Sequence, residues 1–584
     1  MEEKGDNAAR APAPTPSATT GGKPWLEFYD EGVPPSLDYP AVSLDRLLAD
    51  SAAKYPERPA IMFGARVGSR VLDRTLTYQE LDSAVNRFAA TLQQLGLEQG
   101  GRVAIITPNC PQFVIAFYGT LRAGGIAAPC NFLYTAPELE HQIADAGAEI
   151  AVVLSPYYDK VQRIRSGTPL RCVIVANVKE YFPPLLRLLF SLTTEKKEGH
   201  RVELASGNDF WFQATLAGPP RGPKPVEVAP DDTACLLYTG GTTGVPKGAQ
   251  LTHRNLVSNA VAGLAWTHAE EGHEVTIGAL PLFHSYGMTA VMNTPIAGAL
   301  AMVLIPNPRD ILHIMGSISK HGATFYPAVP TMYVAINNHP EVGQFDLRSV
   351  RSCLSGAAPL PREIQVKFQD LTGSTLVEAY GLTETSPATH INPLDRNRIG
   401  FIGVPLPDTD ARIVDADTGE QELPTGEIGE LIIQGPQVMK GYWGKPTETA
   451  NVLREHPDLG PGPWLHTGDI ARMDEDGYFQ IVDRKKDMII CGGFNVYPSD
   501  VEEVLFEHPA VREAAVAGIP DEYRGETVKA FVVLKEGMAA TEQEIIDFCN
   551  EHLARYKVPT AVEFRIDLPK STVGKVLRRE LVPR

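Results

Sequence analysis

Directly after the apolar run TACLL, residues 238 to 248 read YTGGTTGVPKG. Gly240, Gly241 and Gly244 allow backbone N–H groups to converge on an anion without interference from a Cβ. Thr239, Thr242 and Thr243 add hydroxyl donors, and Lys247 adds a mobile positive charge. These are the means of gripping a polyphosphate. The loop of kinases and ATPases that opens a helix needs a hydroxyl residue directly after its lysine. Here Pro246 precedes Lys247 and Gly248 follows it, so no hydroxyl is available at that place and no helix runs smoothly through it.

A chain of 584 residues exceeds one ordinary core, so a large domain divided into subdomains and at least one smaller unit are expected. Lys and Arg number 53 against 71 Asp and Glu, a net charge of -18 that repels phosphate backbones and makes nucleic acid a poor partner. The seven cysteines, at 110, 130, 172, 235, 353, 491 and 549, form no C-x-x-C pair, which suits a reduced, cytoplasmic setting. The first 25 residues lack the basic and apolar regions of a secretory signal and read as a disordered tail.

Apolar runs such as RVAIITP, AEIAVVLS, LRCVIVA and ACLLYTGG alternate with helical stretches between residues 26 and 483. Such alternation points to layered, parallel α/β subdomains. Thr77 and Glu80 stand at capping-box spacing before one of the helices. After Glu427 the short runs GEIGELIIQG and GYFQIVD suggest a small β-rich subdomain. The charged DRKKD marks a hinge at 484–487, and residues 488–584 read as a small, mobile α+β domain. That domain has a helix entered through Pro498 and another behind a Thr541/Glu544 capping box. In YFPPLLRLLFSLTTEKK, Leu185, Leu188, Leu189 and Leu192 share a helical face beside Arg187, Lys196 and Lys197. This segment, 181–197, either packs on the body of the protein or touches the inner face of a membrane.

The phosphate loop resembles the signature of the adenylate-forming superfamily: acyl-CoA synthetases, luciferase and adenylation domains. LPLFHSYGMT, LSGAAPL, EAYGLTETSP, LHTGDIARMDEDGYFQIVDRKKDMI, CGGFNVYPSDVE and LPKSTVGKVLRREL follow in that family's order. The whole is most similar to bacterial long-chain fatty-acid CoA ligases. The resemblance implies ATP, magnesium and CoA. It implies that Tyr380 stacks on adenine beside Gly381, that Thr383 binds phosphate and that Glu384 helps hold magnesium. Gly356 and Ala357 would line the boundary between adenine and acyl group. Asp469 would accept from the ribose hydroxyls, with Arg484 as a second ribose or phosphate contact. Lys575 would bring positive charge to the carboxylate and α-phosphate, where charge builds up during attack. Lys486 would be the pivot, Gly492 and Gly493 would admit the pantetheine arm on a strand, and Cys491 would be a packing residue. His284 would stand near the acyl carbonyl and thiol, in keeping with a fatty or aryl acid.

The expected function is thus activation of a medium- or long-chain fatty acid as its adenylate and transfer to CoA. Loading of a carrier protein, activation of an aryl or other carboxylate, and a membrane-docked scaffold that only senses nucleotide are the alternatives.

Overall fold

The computed structural model describes residues 22–205, 207–217, 222–239, 246–491, 494–521, 524–571 and 576–582. Local signals in the sequence set its elements. Thr77 accepts a hydrogen bond from the Glu80 N–H, and the Glu80 carboxylate accepts one from the Thr77 N–H, which opens the helix Tyr78–Gln94. Leu81, Val85, Phe88 and Leu92 then recur at helical intervals and are all buried. The Thr541/Glu544 pair opens the helix Glu542–His552 in the same way, and Pro498 starts the helix Pro498–Glu507.

The four apolar runs form Arg102–Ile106, Ile150–Leu154, Cys172–Ala176 and a strand β1 (Thr233–Thr239). They belong to an eight-stranded sheet that is parallel through its middle. At one end β1 pairs antiparallel with β2 (Lys247–Thr252), and Gly441–Tyr442 pairs on the outer edge of β2. Beyond Cys172–Ala176 lies the helix α1 (Pro184–Thr193). Leu186 and Phe190 face the body of the protein there, with Phe190 against Phe182 and His200, whereas Leu185, Leu188, Leu189 and Leu192 are exposed.

After β2 the helix α2 (His253–Trp266) leads into a nine-stranded sheet. Its centre is parallel and includes β3 (Val275–Gly278), β4 (Phe325–Ala328), β5 (Ser352–Ser355) and β6 (Thr375–Gly381). Antiparallel strands close both of its edges. A third sheet, five-stranded and antiparallel, carries β7 (Pro463–Met473) and β8 (Phe479–Arg484); the sheet type does change, but already at Asp410–Val414, ahead of the Glu427 boundary that the sequence suggests.

The last sheet, also five-stranded, has its own apolar core around Val516, Val528, Ala530 and Ile545. Ile489–Cys491 and Phe494–Val496 form an antiparallel pair in it, so CGGFN spans two short strands rather than one. Cys491 is buried, as a packing residue should be. Between this unit and the rest, Arg484 is the last residue of β8 and residues 485–487 form a turn. Asp483 accepts from the Ser499 N–H at 2.8 Å and pairs with Arg578 at 3.3 Å. Arg578 also reaches Asp487 at 3.2 Å and both oxygens of Glu502 at 2.9 Å. No described helix is long and apolar enough to cross a membrane.

Candidate active site

A cavity of about 630 Å³ opens where the C-terminal ends of β5 and β6 meet the β1–β2 hairpin and the end of β8. Thr239 and Lys247, register partners at the end of that hairpin, both line it. The phosphate loop therefore joins strand to strand, which agrees with the absence of a helix-opening signature. Its residues Gly240, Gly241, Thr242, Thr243 and Gly244 lie outside the described residues, as do Gly492, Gly493 and Lys575.

One wall is polar and internally tied. The Tyr380 hydroxyl donates to Asp469 Oδ2 at 2.6 Å, and Arg484 Nε reaches Asp469 Oδ1 at 3.1 Å across the β7–β8 pair. Asp469 is only 3% exposed and is not among the lining residues, while Tyr380 and Arg484 are. Burial opposes the charge on Arg484, but Asp469 and the phenol of Tyr380 outweigh it, so the guanidinium pKa is raised. Burial and then Asp469 raise that of Tyr380. Lys486 also lines the cavity, and burial followed by the Arg484 charge lowers its pKa. Opposite, the Tyr442 hydroxyl donates to Glu384 Oε1 at 2.7 Å, and Lys247 Nζ stands 5.1 Å from the centre of the Tyr442 ring. The pairing of Gly441–Tyr442 with β2 places this tyrosine between the carboxylate and the lysine.

The backbone at the cavity mouth is held in uncommon conformations. Ala357, with φ 69°, and Ser386, with φ 70°, both occupy the left-handed region that costs a non-glycine residue energy. A Cβ on Gly381 would stand 1.8 Å from the Pro387 carbonyl oxygen, so only glycine fits between Tyr380 and the turn carrying Thr383 and Glu384.

Below Gly356 the cavity becomes a channel. Asn259 and Gly263 on one face of α2, with Thr267 at its C-cap, line it at intervals of four, a span of about 12 Å at 1.5 Å per residue. Thr276, Phe325 and Ser352 line it opposite, as register neighbours at the N-terminal ends of β3, β4 and β5. Both measures orient the channel alike. Asn259 exchanges two hydrogen bonds with Ala388 near the mouth, and the Thr267 carbonyl accepts from Arg351 at the foot. Arg351 lies 4.8 Å from the Phe325 ring centre and pairs with Glu274 at 2.7 Å, closing the floor. Lys247, His284, Glu384, Arg484 and Lys486 all belong to the upper end, and among the described residues nothing charged lines the channel itself.

Residues 48–443 match the model of the AMP-binding enzyme family, and residues 500–575 match the AMP-binding enzyme C-terminal domain. The chain belongs to the AMP-binding enzyme family. It is 45% identical over 564 residues to a long-chain-fatty-acid–CoA ligase of Bacillus subtilis (strain 168), covering 96% of this chain and 98% of the relative. A long-chain-fatty-acid–CoA ligase of Escherichia coli O6:H1 is 39% identical over 566 residues, with the same coverage of 96% and 98%. Among solved structures, ATP-bound MatB from Rhodopseudomonas palustris superposes with a TM-score of 0.78 at 32% identity, covering 92% of this chain and 98% of that one.

Of the residues singled out in the sequence of this AMP-binding enzyme, the fold brings eleven to one cavity: Thr239, Lys247, His284, Gly356, Ala357, Tyr380, Gly381, Thr383, Glu384, Arg484 and Lys486. Asp469 stands directly behind them. His284 caps a short helical turn, with Nδ1 accepting from the Tyr286 N–H at 3.3 Å. Sequence reasoning missed Tyr442, Asn259 and Thr467, which also line the cavity. GYWGKP carries glycines around Tyr442, a cue to a turn but not to a partner nearly two hundred residues earlier. Asn259, Gly263 and Thr267 stand four apart, but their types carry no chemistry that would point to a channel.

Proposed function

We propose that this AMP-binding enzyme activates a medium- or long-chain fatty acid as its acyl-adenylate and transfers the acyl group to CoA, releasing AMP and pyrophosphate. The continuity of a polar, cation-bearing mouth with an uncharged channel in one cavity carries the reading, since a nucleotide and an alkyl chain would meet where the two join. The names of the Bacillus subtilis and Escherichia coli relatives support it, because the match spans nearly the whole of both chains.

In this reading Thr239, the loop through Gly244 and Lys247 grip the β- and γ-phosphates, which leave as pyrophosphate. Tyr380, Asp469 and Arg484 hold the nucleoside, with Asp469 already orienting the other two. The acid lies with its chain along α2 and its carboxylate at the neck, near His284. Lys575 enters from the small domain and stabilises the charge that develops between carboxylate oxygen and α-phosphorus. Magnesium suits the donor set. Glu384 offers one carboxylate, and the described residues contain no cluster of three or more His, Cys, Asp or Glu that would hold a metal alone, so phosphate oxygens and water would complete its shell. When bound, it would neutralise phosphate charge.

Thiol transfer then requires Lys575 to withdraw and the Gly492–Gly493 region to approach. A turn about Lys486 must part Arg578 from Asp483, while the Arg578 contacts to Asp487 and Glu502 travel with the small domain. The buried cysteines are in keeping with a cytoplasmic place of action. Purified protein given ATP, CoA and acids of increasing length tests the whole reading. Release of pyrophosphate together with acyl-CoA is expected. ATP–pyrophosphate exchange without acyl-CoA would instead indicate loading of a carrier protein, and no exchange with any carboxylate would refute the ligase.

A further inference from the structure

The helix α1 carries an apolar face that the rest of the described protein leaves uncovered. Leu185, Leu188, Leu189 and Leu192 are 64%, 57%, 42% and 75% exposed. At 3.6 residues per turn they fall within an arc of about 100°. The opposite side is anchored: Leu186 is buried and Phe190 packs edge-on against Phe182 and His200. The exposed leucines therefore do not result from a loosely attached helix. They are held outward by an inner face that is already satisfied.

Charge around this face runs against that of the molecule. No acidic residue occurs from 182 to 194. Lys196, Lys197 and Arg201 are exposed just past the C-terminal end of the helix, with Glu198 and Glu203 as the exposed acids there, while Arg187 is exposed on the helix about 100° or more round from the leucines. Glu195 is buried and neutralised by Lys179. On a chain of net charge -18 this is a local positive site, complementary to a negative surface.

We infer that α1 docks the protein on an anionic bilayer, the four leucines entering the boundary between headgroups and acyl chains while Lys196, Lys197 and Arg201 meet the headgroups. A single helix that presents a narrow arc of leucines beside lysines fits an interfacial helix. It fits a protein interface less well, because aromatic anchors seated in pockets dominate those and this face has neither an aromatic side chain nor a pocket. The choice of a bilayer also rests partly on the proposed fatty-acid substrate, which dissolves in lipid and would be met there. Docking would place the enzyme at the source of its acid without any spanning segment.

The test is flotation of the full-length protein with vesicles of phosphatidylcholine alone or mixed equally with phosphatidylglycerol. The wild type should float with the mixed vesicles, less with the neutral ones, and less again at high salt. Leu188→Gln/Leu192→Gln should weaken vesicle binding about tenfold or more on either composition. Lys196→Gln/Lys197→Gln should weaken it several-fold on the anionic vesicles alone. Neither pair lines the cavity, so ATP–pyrophosphate exchange with a short, water-soluble acid and the thermal midpoint should remain at wild-type values. Equal flotation of wild type and leucine variant would overturn the inference. So would a wild type that ignores both vesicles, and sedimentation showing a dimer that the leucine variant abolishes would give the face to a second copy instead. Flotation requires no turnover, so a protein that floats but forms no acyl-adenylate would sink the proposed function alone.

Discussion

The two ends of the cavity are built by different means. At the mouth working side chains are tied to one another: Tyr380 and Arg484 to Asp469, Tyr442 to Glu384, and Lys247 to the Tyr442 ring. In the channel the lining is a helix face of Asn259 and Gly263, with Thr267 at the C-cap, against strand residues that pack without charge. Polar groups at the mouth are oriented before any ligand arrives, which avoids reorganisation when phosphate charge shifts. The channel offers shape and an uncharged lining. Substitutions at the mouth should therefore change chemistry or nucleotide affinity for every acid alike, and substitutions in the channel should change the order of preference among acids.

The largest effect is expected from Lys575→Ala. Loss of a charge aimed at the transition state should lower adenylate formation about a thousandfold, measured as ATP–pyrophosphate exchange. Transfer to CoA from a supplied acyl-adenylate should fall far less. Equal loss in both half-reactions would mean that the lysine serves the structure of the small domain and not the attack on phosphorus.

Asp469→Asn comes next. It leaves Arg484 without its carboxylate partner and weakens the acceptor for Tyr380, so the KM for ATP should rise about tenfold to a hundredfold, the cost of about 1.4 to 3 kcal/mol for a broken charge-assisted contact. The KM for the acid should hardly move. A parallel rise in both would erase the distinction between the two ends.

The mouth was far more legible than the channel. The phosphate grip is a demand on residue type that YTGGTTGVPKG meets by itself, whereas AYGLTET and HTGDI were legible through the family resemblance. Tyr442 was legible in neither way, because its role depends on Gly441–Tyr442 pairing with β2, a contact between distant parts of the chain. Strands and capped helices were equally plain from apolar runs and from Thr77/Glu80. Their assembly was not: nothing local says that Pro59–Val67 lies beside Ala301–Leu304 in the nine-stranded sheet. The channel has the same difficulty. Thr276, Phe325 and Ser352 come from three strands and meet only through register, and their types alone describe any core.

Gly263→Leu tests the channel directly. Gly263 lines it midway between Asn259 and Thr267, and a Cβ there meets Thr294 Oγ1 at 3.1 Å, a side-chain atom that can yield by a few tenths of an ångström. The leucine stem should fill the lower half. The kcat/KM for the longest acids should fall about tenfold, the scale of one lost apolar contact or more, while short acids and the KM for ATP stay near wild type. A uniform loss for all acids would show that the chain does not pass this point.

A buried carboxylate outside the cavity completes the contrast. Glu378 sits two residues before Tyr380 on β6, accepts from the Leu360 N–H at 3.0 Å, and has no cation against it among the described residues. Burial raises its pKa to about 7, opposed by backbone donors at Leu360 and Gly400. Asp469 has Arg484; Glu378 has only backbone. The folded protein therefore retains a proton that the unfolded chain releases near pH 4.5. The stabilisation linked to that proton is full below pH 4.5 and is lost as pH rises towards 7, up to about 3 kcal/mol across the window. Glu378→Gln keeps the shape and removes the titration. Thermal midpoints recorded from pH 5 to 8 should fall less steeply for the variant, and above pH 7 the variant should be the more stable of the two. The KM values for ATP and acid should not change, since this carboxylate lies behind the wall and not in it. Identical slopes for the two proteins would mean that Glu378 is ionised throughout and that its backbone partners suffice to hold the charge.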